Sequence, residues 1–279
     1  MAEEGGEKRL TNWQLVAYGQ LVVPLAVIGL PVAVYIPPFY SSTLGLDLAA
    51  VGFILMLARF SDVITDPLIG RLSDRLHRHR GSLMAIAALA FAVCFAALYR
   101  PPPALEIFWF VCTIFFATLA FSVLVINLGA LGALGAPDEA GKQSLAAWRE
   151  GFGLAGLLCA MILPAFFGSM PLYAAFAALS ALGCATCFLV WLRGRALPAP
   201  PPVPQEGFRA LLQGPFRRFF AAYFVSMLGS SLPAVLFVFY VRDWLGAEDK
   251  TGLFLMIYFG AAIAAVPLWR LALRRLSAP

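Results

Sequence analysis

Residues 53–75 read FILMLARFSDVITDPLIGRLSDR, an apolar run of helical length that carries three charged side chains in its interior. Arg59, Asp62 and Asp66 stand at i, i+3 and i+7, a spacing that puts all three on one face of an α-helix. The run is long enough to cross a hydrocarbon core of roughly 30 Å. If it leaves the membrane near Arg71, a rise of about 1.5 Å per residue sets Asp62 roughly 13 Å deep and Asp66 roughly 7 Å deep. Charges at that depth cost about 2.5–3.5 kcal/mol each on insertion scales, so their face is expected to look into a bundle or a wet cavity.

Pro67 removes one backbone donor and leaves the carbonyl near Val63 without its helical partner. Two carboxylates, the Thr65 hydroxyl and that carbonyl make an all-oxygen set suited to a hard monovalent cation or a proton. A second reading uses the same residues as a buried salt-bridge cluster, in which Arg59 neutralises one aspartate and holds helices together. Both readings stand at this level.

The rest of the chain has the same solvent preference. Of its 279 residues 61% are apolar and 13% charged, against roughly 25% charged in an ordinary soluble domain. Apolar stretches of about 20 residues recur throughout, and eight spans are predicted, at 14–40, 48–70, 82–99, 105–135, 144–168, 171–192, 216–241 and 251–272. The runs are continuous rather than alternating, which excludes strands and predicts an all-α polytopic membrane protein. The first span is too long for a signal-peptide core and has no convincing cleavage site, so it is expected to stay in the protein. Cys94, Cys112, Cys159, Cys184 and Cys187 all fall inside spans and read as small hydrophobes, the C-x-x-C at 184–187 included.

Positive charge is lopsided. Fifteen of the 20 lysines and arginines, from Lys8 to Arg275, fall on the face made by the termini and the loops after spans 2, 4 and 6. Arg100, Arg242 and Lys250 fall on the other face, and Arg59 and Arg149 lie within spans. The positive-inside rule then makes both termini cytoplasmic, in the cell inner membrane. Topology accounts for the net charge of +5, so no nucleic-acid partner is expected. His77 and His79 lie among arginines without acidic or thiol ligands and read as a solvated loop.

Residues 67–76, PLIGRLSDRL, and 267–276, PLWRLALRRL, share a pattern at an offset of 200, and Phe39-Tyr40 recurs as Phe239-Tyr240. The offset maps span 1 onto span 7 and span 2 onto span 8, as two homologous six-helix halves would give. A proline-rich cytoplasmic linker joins them. The expected organisation is a tail at 1–13, a six-helix bundle at 14–192, the linker at 193–215, and two helices of a truncated second bundle at 216–279. Self-association through that incomplete half is expected. Span 7 carries Ser226, Ser230 and Ser231 on what would be its cavity side.

In span 5, Arg149 and Glu150 precede a glycine face of Gly151, Gly153 and Gly156. The arginine can reach a central cavity or snorkel to the surface, and position alone does not choose. Asn127, in the apolar run of span 4, is suited to an interhelical hydrogen bond or to a solute.

The pattern Arg59-x-x-Asp62-x-x-x-Asp66-Pro67-x-x-Gly70-x-x-x-Asp74-Arg75 resembles the glycoside-pentoside-hexuronide:cation symporters, the melibiose permease-like family of the major facilitator superfamily. ALGA at 130–133, Pro137-Asp138 and Ala147-Trp148-Arg149 extend the likeness along most of the chain. The resemblance implies two six-helix bundles rocking about a central site. It implies Asp62, Asp66 and Thr65 as the cation-coupling set, with sodium as the metal reading at Asp62 and Asp66. Arg149 is implied as a substrate-binding residue, with Asn127 placed beside it in the candidate set. Gly70, Asp74 and Arg75, grouped with Arg59 and Pro67, are implied as a gating motif. The chain departs from the family pattern in lacking any acidic residue between Lys8 and Asp47, and in carrying Leu124 and Leu128 where the family has an aspartate and a tryptophan.

The leading functional expectation is symport of a small solute, a sugar or glycoside, coupled to sodium or protons, with no cofactor beyond the coupling ion. The lipid bilayer and the solute are the expected partners. The rival is a truncated, non-transporting remnant or membrane interaction partner. An enzyme is not expected, because no nucleophile–base pair or metal set accompanies the buried aspartates.

Overall fold

The computed structural model describes residues 11–136, 138–193 and 213–247, with scattered positions from 254 to 268. The tail before Thr11, the linker beyond Arg193 and most of the eighth span lie outside the described residues, as do the side chains of Ser230 and Ser231. Regular structure among the described residues is helical throughout. The helices are α1 (Asn12–Gly19), α2 (Val22–Val34), α3 (Leu48–Arg75), α4 (Arg80–Leu98), α5 (Glu106–Leu134), α6 (Glu139–Ile162), α7 (Met170–Arg193) and α8 (Gly214–Phe239). Helices α3 to α7 are each long and apolar enough to cross a membrane. The chain divides into two compact units, Met1–Pro200 and Pro201–Pro279.

The first predicted span is not one helix, and its prolines explain why. Pro24 cannot donate to the carbonyl of Gln20, four residues back, and the chain breaks there between α1 and α2. Pro31 leaves the carbonyl of Val27 without its donor in the same way. The Tyr173 hydroxyl of α7 donates to that carbonyl at 2.7 Å, fully buried. A proline defect in α2 thus becomes a tether to α7. At the far end of α4 the Tyr40 hydroxyl and the Trp109 indole donate to the carbonyls of Leu98 and Ala97, at 2.6 and 2.7 Å. These are last-turn carbonyls that lack the i+4 amide of a continuing helix, and Ala97 also accepts from the amide of Arg100 at 3.0 Å.

Helix entries follow local chemistry. Asp47 accepts from the amide of Ala50 at the start of α3, and Asp138 from that of Gly141 at the start of α6. The first membrane segment ends in a widened π turn, Phe39–Thr43, followed by Gly45 at φ +74°. Helix α8 ends alike, with a π turn at Tyr240–Trp244 followed by Gly246 at φ +57°. Only glycine enters that left-handed region freely, and it lets the next amide fold back on the helix end. Leu46 donates to Tyr40, and Ala247 to Val241, both at 3.1 Å. The two turns share this local geometry at an offset of 201, one residue out of step with the Phe-Tyr pairs.

Within the first unit, α4 packs on α5 and α7, α3 on α5, and α1 and α2 on α6. Small residues make these approaches possible. Ala174, Ala177, Ala181 and Ala185 form a buried stripe along α7, and Ala87 and Ala88 of α4 are buried as well. Without a hydrophobic drive between helices in lipid, close backbone contact supplies the packing energy. Larger side chains such as Phe95, Phe110 and Phe188 close the layer between the stripes. The outer faces carry Phe53, Phe60, Val63 and Ile64 on α3 and Ile86, Leu89 and Val93 on α4, all exposed as a bilayer-embedded surface requires.

Candidate functional site

Helix α3 runs through Pro67 without interruption and brings Arg59, Asp62 and Asp66 to one face. A nitrogen of Arg59 lies 3.7 Å from Asp62 Oδ2, with the arginine side chain 62% exposed and the aspartate 19%. That distance is an ion pair without a tight hydrogen bond. On the inner side, Asp62 Oδ1, Thr65 Oγ1 and Asp66 Oδ1 are shut away from solvent, and none has a hydrogen-bond partner. An unsatisfied buried polar atom costs about 1–3 kcal/mol, so three adjoining ones form a patch with a strong demand for positive charge or a proton. Arg59 also borders a narrow apolar cleft with Val32, Phe91, Thr118 and Phe121, between α2, α4 and α5. Among the described residues no cluster of three or more histidine, cysteine, aspartate or glutamate side chains is arranged to hold a metal.

One turn beyond Gly70, Ser73 is buried and its hydroxyl donates to Asn127 Oδ1 of α5. Asn127 Nδ2 donates in turn to the Val123 carbonyl at 2.8 Å, and the side chain is 0% exposed. Its amide is thus engaged at both ends inside the protein, joining α3 to α5. Breaking such a link in a membrane protein costs little on average, with interhelical couplings of about 0.6 kcal/mol and up to about 1.7. A double-mutant cycle on Ser73→Ala and Asn127→Leu is expected to give a coupling toward the upper end, because both groups are fully enclosed. Additive effects on thermal unfolding would show that the pair is not coupled.

Arg149 of α6 stays half-buried, bonded to the neighbouring Glu150 at 2.8 Å. It lies beside Gly129 of α5 and within interaction range of the Tyr18 hydroxyl of α1. Tyr18, 1% exposed, donates to the Leu128 carbonyl at 2.8 Å, and a side chain at Gly132 would collide with its hydroxyl. Tyr18 was not among the residues singled out from sequence. A tyrosine in an apolar span looks like any other aromatic until a partner helix defines its hydroxyl's acceptor. Helix α5 is the common element, since Asn127 meets α3 and Gly129, two residues on, meets Arg149.

The segment that follows Gly70 pairs across a turn rather than with its sequence neighbours. Asp74 Oδ1 lies 3.5 Å from Arg80 Nη2, across the turn His77–His79, and the Asp74 carbonyl lies 3.2 Å from His77 Nδ1. Arg80 is 2% exposed, whereas Arg75 is exposed.

The sequence matches the MFS/sugar transport protein family over residues 17–279. It is 30% identical over 138 residues to the Inner membrane symporter YicJ of Escherichia coli (strain K12), a stretch covering 47% of this chain and 30% of that protein. It is 27% identical over 126 residues to YagG of the same organism, whose name places it with glycoside/cation symporters, covering 43% of this chain and 27% of that protein. The matched stretch therefore spans less than a third of either relative. With a family match that runs along nearly the whole length and helices fit to cross a bilayer, the chain is a multi-pass membrane protein that belongs to the MFS/sugar transport protein family.

Proposed function

We propose that the chain serves cation-coupled symport of a small solute, a sugar or glycoside by analogy with the names of its relatives. The observation that carries this reading is the trio of enclosed, unpartnered oxygens Asp62 Oδ1, Thr65 Oγ1 and Asp66 Oδ1 on α3. A sodium ion or a proton offers them the charge that their own helix supplies only through the loosely held Arg59. Hard cations favour such oxygen donors. When a cation enters, Asp62 no longer depends on Arg59, so occupancy of the patch and the position of the arginine are linked. Such a linkage lets an ion bias one conformation over another. In this reading Arg149, set between α1, α5 and α6, contacts the solute, Asn127 and Ser73 hold α5 against α3, and the Asp74–Arg80 pair belongs to the gate.

Uptake by the purified protein in liposomes, under an imposed sodium or proton gradient and with a panel of sugars and other small solutes, is the direct test. Saturable accumulation that follows one gradient is expected. Uptake indifferent to both gradients would overturn the coupling.

Both termini are proposed to face the cytoplasm of the inner membrane, on the 15-to-3 distribution of lysine and arginine. In a cysteine-free background, an impermeant thiol reagent outside intact cells is expected to label Ser42→Cys and to spare His77→Cys. The opposite pattern would invert the topology.

A further inference from the structure

At the end of α4 and α7 beside the His77–His79 turn lies a pocket of about 700 Å³. Three arginines, Arg78, Arg80 and Arg193, line it together with the apolar Ile86, Leu189 and Leu192. Arg80 sits in its wall at 2% exposure, and neither its Nε nor its Nη2 has a hydrogen-bond acceptor. Its one ion-pair partner among the described residues, Asp74, is 3.5 Å away and 67% exposed. A buried guanidinium with one distant, solvated counter-charge, in a pocket lined by two further arginines, is a strong call for an anion. The pocket also holds Gly81 and Ser82 of the first turn of α4, a 19-residue helix whose cap residue His79 makes no side-chain bond to it. The positive end of that helix adds to the same field.

The apolar side identifies the anion's carrier. Ile86 is 69% exposed, and Leu89 and Val93 continue upward from it at i+3 and i+7, 55% and 57% exposed. This stripe lies on a bilayer-crossing helix, at the depth where acyl chains run. A soluble phosphate ester has no use for it. A phospholipid would place its phosphate among the arginines and a chain along the stripe. Basic pockets between transmembrane helices at the membrane surface have the chemistry to hold anionic headgroups.

We propose that the pocket between α4 and α7 binds an anionic phospholipid, its phosphate held by Arg78, Arg80 and Arg193 and one acyl chain laid along Ile86, Leu89 and Val93. The site goes beyond the transport reading: it shares only Arg80 with the gate proposed above, and neither Asp62 nor Arg149 takes part.

The test is thermal unfolding of the full chain in detergent, titrated with dioleoyl phosphatidylglycerol, with phosphatidylcholine of the same chains, or with inorganic phosphate. Saturable stabilisation by phosphatidylglycerol alone is expected. Because Arg80 is buried and its replacement could disturb folding, the informative variant is Arg78→Gln with Arg193→Gln. It is expected to weaken phosphatidylglycerol binding about 30-fold, with most of the affinity restored by lysines at both positions. Arg217→Gln with Arg218→Gln, on α8, is expected to change it little. Equal stabilisation by both lipids, equal stabilisation by inorganic phosphate, or the same weakening in both double variants would overturn the proposal.

Discussion

Replacing Asp62 or Asp66 by asparagine is expected to abolish cation-driven accumulation while leaving the protein inserted and folded. Asparagine keeps the shape of the side chain and removes its charge, so the enclosed patch of Asp62 Oδ1, Thr65 Oγ1 and Asp66 Oδ1 loses half of its negative charge. We expect gradient-driven uptake to fall by at least about 100-fold, equivalent to about 2.7 kcal/mol of coupling. Energy-independent exchange of solute is expected to survive, because it does not require the ion to be carried. A purely structural salt bridge predicts a different pattern. Removing one partner of a truly buried pair costs about 3–5 kcal/mol and lowers the amount of folded protein. Arg59 is 62% exposed, however, and its guanidinium can find other company once Asp62 is neutral. Folded yield and uptake should therefore separate, with yield near normal and uptake lost. Normal gradient-driven accumulation by both variants would remove the aspartates from the coupling mechanism.

The second large effect lies in the glycine face of α6. A Cβ built at Gly156 would sit 2.7 Å from the Val23 carbonyl oxygen and 2.9 Å from both the Val23 Cα and the Ala26 Cβ of α2. Those are backbone and near-backbone atoms that cannot swing aside. At Gly153 the nearest atom is Val22 Cγ1 at 3.3 Å, and at Gly151 nothing lies within 4 Å. Alanine is expected to be neutral or slightly stabilising at Gly151, since glycine costs about 0.8–1.0 kcal/mol in a helix interior. It should be tolerated at Gly153. At Gly156 it is expected to destabilise by about 1–3 kcal/mol, the usual range for overpacking, and leucine there should prevent folding. Thermal unfolding of the three alanine variants in one detergent reads the order directly. If Gly156→Ala melted with Gly151→Ala, the close approach of α2 to α6 would be wrong.

The helical class, the membrane as solvent and the five long apolar helices of the first unit could be read from residues alone, because each is a local property. A run of about 20 apolar side chains needs no partner to declare that it crosses lipid, and the face shared by Arg59, Asp62 and Asp66 follows from helical periodicity. The turns near Phe39-Tyr40 and Phe239-Tyr240 are local in the same way, since the glycines that end them, Gly45 and Gly246, lie close in sequence. Even the break of the first segment between α1 and α2 is latent in Pro24.

Tertiary structure alone decided which residues meet. Val27 is served by Tyr173, 146 positions away, and Asn127 by Ser73, 54 positions away. Asp74 faces Arg80 rather than the adjacent Arg75, and of three similar glycines only Gly156 is pressed against another backbone. Each of these depends on how far a helix is rotated and slid against its neighbour, quantities that a single helix does not encode. In lipid those offsets are set by small-residue contacts and scattered hydrogen bonds between partners distant in the chain. The membrane segments are therefore written along the sequence, whereas the enclosed oxygens of α3, the Tyr18–Arg149 neighbourhood and the arginine pocket arise only when the helices have locked together.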